Sequence, residues 1–90
     1  MNNNVQDNTV EKNKYSDLRD YLNLVLKQLN SCIEKLESAS DVTKNNYTID
    51  NVSNEKSKID KNKNYLIKMR DDLRDIVIPQ INQKVINLSQ

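Results

Sequence analysis

Two stripes of apolar residues, separated by a polar stretch, run through the chain. The first holds Tyr15, Leu18, Leu22, Val25, Leu29, Cys32, Leu36 and Ala39 at alternating steps of three and four. That spacing keeps one seam of an α-helix turned toward a partner helix. Leu26 and Ile33 lie beside the seam and widen the apolar face. The second stripe runs from Leu66 to Leu88 and changes phase at Pro79: Leu73 and Ile76 carry it before, and Ile78, Ile81, Val85 and Leu88 carry it after. Such a slip is expected where a proline removes one backbone hydrogen bond from a helix.

The pattern predicts an all-α chain. Residues 1–14 form a polar tail or weak helix extension, 15–41 the first helix, 42–53 a connection, and 54–89 a second helix kinked near Pro79, with a clean break there as the alternative. In the connection, short polar side chains compete with helical hydrogen bonds. Tyr47 and Ile49 are placed to pack back over the helix ends, and Asp50, Asn51 or Ser53 to cap the next helix. Glycine is absent and proline occurs once, which disfavours hairpin turns and phosphate loops.

Folded as an antiparallel two-helix hairpin turning near Tyr47 and Thr48, the chain pairs Ala39 with Lys56, Leu22 with Leu73 and Tyr15 with Gln80. At about 1.5 Å per residue, Ile81 to Leu88 then projects on the order of 10 Å past Tyr15. Only the polar residues 5–14 stand beside it. Each aliphatic side chain left in water there forgoes about 1.5–3 kcal/mol. Two helices alone also bury only one side of each, so a partner is expected to complete a four-helix bundle. Its contact residues are expected to be Leu26, Ile33, Ile67 and Ile78, with Ile81, Val85, Ile86 and Leu88 at the projecting end.

Composition narrows the chemistry. Ninety residues, 36% hydrophobic and 30% charged, allow one thin domain. Net charge is +1 with acids and bases interleaved, and the run Lys56, Lys58, Lys61 and Lys63 is partly neutralised by Glu55 and Asp60. It reads as a solvated helix face, since the aromatics and arginine stripe of a nucleic-acid surface are missing. Without histidine, serine and cysteine nucleophiles lack their usual base and zinc lacks a Cys/His cluster. Cys32, on the seam, is expected to be a small buried thiol. Asp71, Asp72 and Asp75 alternate with Arg70 and Arg74 as paired charges of a helix face. No catalytic, cofactor or metal site and no small-molecule substrate is expected. No apolar run approaches the roughly 18 residues of a membrane span, and the N-terminus lacks a charged-then-apolar leader. Cytosolic synthesis follows, with export by a non-classical route left open.

A helical hairpin of this length with an apolar second helix resembles the small partner proteins of type VII secretion, the WXG100-like proteins and the accessory hairpins of LXG-type toxins. The resemblance spans roughly residues 15–88 and is one of size, architecture and pattern. The chain lacks both Trp and Gly, hence the Trp-x-Gly turn, and no tyrosine is followed four residues later by Asp or Glu: Tyr15 meets Arg19, Tyr21 Val25, Tyr47 Asn51 and Tyr65 Met69. What the resemblance implies is a non-enzymatic targeting or chaperone-like subunit that packs on the helical segment of a larger secreted protein. The alternatives are a homo-oligomeric bundle without cargo and, behind it, a small nucleic-acid-associated regulator.

Overall fold

The structure is a computed structural model that describes the backbone of residues 2–45 and 52–90 and the side-chain surroundings of residues 8–43 and 54–90. Its described residues are all-helical apart from the last. Helix α1 spans Asn2–Asn45, α2 spans Val52–Asp72, and α3 spans Ile78–Ser89. Leu73–Val77, between α2 and α3, is a π-helical turn. The expected turn at Tyr47 and Thr48, and the roles given to Ile49, Asp50 and Asn51, lie outside the described residues, as does the side chain of Ser53.

The π-turn is the backbone's answer to Pro79. A proline ring inside an α-helix clashes with the carbonyl four residues back, here that of Asp75, and offers no N–H to it. Instead the Ile78 N–H donates to the Leu73 carbonyl, five residues back, which inserts one extra residue into the turn. The chain neither breaks nor leaves helical geometry: Asp72 (φ −62°, ψ −45°), Val77 (−70°, −52°) and Ile78 (−62°, −44°) are all right-handed helical. One extra residue also explains the phase slip. The stripe steps from Leu73 to Ile78, five residues instead of four, and then resumes through Ile81, Val85 and Leu88.

The chain divides into two compact units, one of Met1–Leu26 with Asp71–Gln90 and one of Lys27–Arg70, and α1 contributes to both. In the first unit the Lys84 ammonium lies 5.4 Å from the centre of the Tyr15 ring, and Arg19 Nη1 donates to Asn82 Oδ1 at 3.5 Å. As α1 advances from Tyr15 to Arg19 its partners recede from Lys84 to Asn82, so the two segments run in opposite directions. In the second unit Arg70 Nη1 donates to Asn30 Oδ1 at 3.4 Å and Ser40 Oγ to Asp60 Oδ1 at 2.8 Å, again antiparallel.

Two expectations about packing are corrected. Tyr15 was expected beside Gln80 but meets Lys84, a register about one helical turn longer. With α1 already helical from Asn2, this brings residues 11–19 alongside the C-terminal stripe. Ile78, Ile81 and Val85 are consequently buried within the chain, at 7%, 8% and 9% exposure, and do not project from it. The seam of α1 is also rotated. Leu22, Leu29 and Leu36 are half-buried as expected, but the interleaved positions that turn inward are Arg19, Leu26, Ile33 and Ser40, leaving Leu18, Val25 and Cys32 exposed. Two stripes of the same periodicity share those leucines. The inward stripe sets Leu26 and Ile33 where the other has Val25 and Cys32, while Arg19 and Ser40 take the places of Leu18 and Ala39 and bond across to Asn82 and Asp60.

Candidate functional site

The eight residues expected to bind a partner therefore fall into three groups. Ile33, at 3% exposure the least accessible of the core residues, is committed to the second unit's interior, as Ile78, Ile81 and Val85 are to the first unit's. Leu26, Ile67 and Leu88 are half-buried. Only Ile86 stays largely exposed, at 49%. The reason is the register: a stripe expected to lack a neighbour has one, because residues 11–19 reach it. Lys12, Tyr15, Ser16 and Arg19 are half-buried there, with Tyr15 under Lys84 and Arg19 bonded to Asn82.

Apolar surface is exposed elsewhere. In the first unit α1 presents Leu18, Tyr21, Leu24 and Val25, with Tyr21 69% exposed. Asp17 and Asp20 join Tyr21 and Leu24 in lining an open cleft, and Asp20 also accepts from Arg19 Nε at 3.3 Å. Across the pair, Ile76 is exposed beside exposed Asp72. The exposed face of α1 in this unit is thus apolar, with Asp17, Asp20 and Lys14 around it.

The second unit exposes a basic apolar face. Lys58, Lys61, Tyr65, Lys68 and Met69 recur at three- and four-residue steps on the outer side of α2, and all are exposed. The lysine run noted in the sequence is split around the helix. Lys58 and Lys61 join this face, whereas Lys56 turns to Asp60, whose carboxylate it meets at 2.5 Å. The Asp60 carboxylate also accepts from the buried Ser40 hydroxyl, and Thr43 Oγ1 donates to the Ser40 carbonyl. The Lys56 ammonium first, and the Ser40 hydroxyl second, hold the Asp60 carboxyl below its ordinary value of 3.8. Glu37, Asp41, Lys63 and Asn64 surround this cluster in a polar cleft. It is a structural pin between α1 and α2, with no nucleophile paired to a base.

The seam error is what hid the exposed faces from the sequence. With Leu18, Val25 and Cys32 read as interior, only Tyr21 and Leu24 are left to mark the surface they help to form. Cys32 is exposed. Among the described residues no group of three or more His, Cys, Asp or Glu side chains is placed to hold a metal ion, and no helix is long and apolar enough to cross a membrane. No family model matches the chain, and neither does any curated protein or solved structure.

Proposed function

We propose that the chain is a non-enzymatic protein-binding subunit, a helical hairpin that packs against the helices of another chain to complete a four-helix bundle. One observation carries this reading: the division between what is buried and what is exposed. The apolar side chains below a tenth exposure are Ile33, Ile78, Ile81 and Val85, whereas Tyr21, Leu24, Tyr65, Met69 and Ile76 are all more than half exposed. Large apolar side chains left in water at helical spacing in each unit mark candidate association faces. The projecting C-terminal end no longer supports the reading, since that end is covered. The weight falls on the outer faces of α1 and α2.

In the form suggested by the resemblance to type VII partner proteins, the occupant is the helical segment of a larger secreted protein. That form rests on size and architecture alone. It is tested by co-expressing the chain with the proteins encoded beside it and measuring the mass of what co-purifies. A stoichiometric helical complex is the expected result; a fully helical, cooperatively folded monomer that captures none of them overturns the reading.

A further inference from the structure

Within the second unit, one side of α2 carries Lys58, Lys61, Tyr65 and Lys68 at steps of three, four and three, with Met69 beside them. Ile59, Lys63, Leu66, Ile67 and Arg70, half-buried, occupy the opposite half of the helix, so α1 does not cover this side. Tyr65 and Met69, one turn apart, are 60% and 53% exposed. The charge on this face is of one sign. Of the acids of α2, Asp60 turns inward to Lys56 and Ser40, and Asp71 meets Arg74. Glu55 and Asp72 stand three residues before Lys58 and four after Lys68. Lys61 also borders an open cleft with Lys56 and Asp60, where the Asp60 carboxylate is already engaged. On α1, Glu37 and Asp41 face the cleft around Lys56 and Lys63 instead. Among the described residues none of Lys58, Lys61 and Lys68 forms an ion pair.

We propose that this face receives an acidic amphipathic helix of a partner protein, with the partner's apolar residues on Tyr65 and Met69 and its carboxylates on the ammonium groups of Lys58, Lys61 and Lys68. The inference rests on the protein-binding reading above and supplies the chemistry of the partner. Lys61 and Lys68 stand seven residues apart, about 10.5 Å along the axis, which is the repeat at which a second helix presents side chains to a seam. Lysine stems lie along apolar surface while their ammonium groups reach its border, so the partner's acids belong at the edges of its apolar stripe. Attraction between exposed charges is weak at physiological salt. The apolar pair therefore supplies the adhesion, and the lysines choose the partner. A nucleic acid would call for arginine and further stacking aromatics, where this face has Tyr65 alone. A bilayer surface would call for a broader apolar stripe than two side chains.

The probe is a synthetic helical peptide of about three heptads, with leucine at a and d and glutamate at e and g, titrated calorimetrically against the full chain. A control peptide carries lysine in place of every glutamate. The acidic peptide is expected to bind at least about tenfold more tightly than the control, with an affinity that falls as salt rises. Lys58→Glu with Lys61→Glu and Lys68→Glu should reverse that order. Tyr65→Ala with Met69→Ala should weaken the acidic peptide about tenfold. All five positions are exposed, so circular dichroism should show unchanged helicity in both variants. An acidic peptide that binds no better than the control, or that ignores the lysine reversals, overturns the inference. So does binding indifferent to the loss of Tyr65 and Met69, or matched by a DNA duplex or by phosphatidylserine vesicles, since the face would then attract any polyanion. A co-expressed partner that still co-purifies with the lysine-reversed chain overturns this face and leaves the protein-binding reading in place. A fully helical, cooperatively folded monomer that binds neither peptide nor any such partner overturns both.

Discussion

The unit formed by Met1–Leu26 with Asp71–Gln90 and the unit formed by Lys27–Arg70 contain the same kind of antiparallel helix contact but are held differently. The first is closed by three aliphatic side chains, Ile78, Ile81 and Val85, spaced three and four apart on α3. The second has one, Ile33, and sets beside it a buried hydroxyl bound to a carboxylate. Aliphatic burial is non-directional and adds stability in proportion to area, whereas a polar pair is satisfied at one alignment only. The first unit supplies adhesion; the second supplies the alignment.

The comparison breaks most sharply at Ile81 and Val85. Replacing both by aspartate puts two charges among the buried aliphatic side chains of the first unit, and the lone chain is expected to lose cooperative folding and most of its helical circular dichroism. Retained helicity with lost association would return these residues to a docking surface. Next in size is Ile33→Ala, expected to cost about 2–4 kcal/mol in urea unfolding, because among the described residues of the second unit no other aliphatic side chain is buried as deeply.

A finer probe addresses the π-turn. Deleting Ile76 together with Pro79→Ala restores a four-residue step from Leu73 to Ile78, so stability is expected to stay within about 1 kcal/mol of the native chain. Deleting Asn62 instead rotates the stripe by about 100° with nothing to absorb it, and should cost several times more. Equal losses from the two deletions would show that the extra residue is not what keeps the stripe in phase.

The smallest effect belongs to Asp60. Its carboxyl is held below 3.8 in the folded chain by Lys56 and then Ser40, so its contribution is fully present above the unfolded value of about 3.9 and is lost as pH falls through the lower folded one. Asp60→Asn is expected to reduce the difference in unfolding midpoint between pH 6 and pH 3, and Ser40→Ala to reduce it less. An unchanged pH profile in Asp60→Asn would remove the carboxylate from the pin.

The sequence made the helical class legible, because two stripes at three- and four-residue steps admit no strand reading. It also located the anomaly at Pro79, since Leu73 and Ile78 stand one residue too far apart for a regular helix. It misled on which face of α1 turns inward, for an identifiable reason. Arg19 and Ser40 look like surface residues, so the stripe containing them was passed over, although an arginine stem packs well and a serine facing Asp60 is satisfied when buried. The register was equally illegible. Nothing in residues 11–14 marks them as lying beside the C-terminal stripe, and Tyr15, although on the expected seam, is placed a turn away until it is seen against Lys84.

The widened turn at Leu73–Val77 has one further result. Where the Ile78 amide reaches back to Leu73, it bonds one residue earlier than it would in a regular helix, and Pro79 brings no N–H of its own. This stretch of the ladder has one donor fewer than a regular helix. Amide protons next to this turn should therefore exchange with deuterium well before those in the middle of α1, marking the place where the second helix first opens.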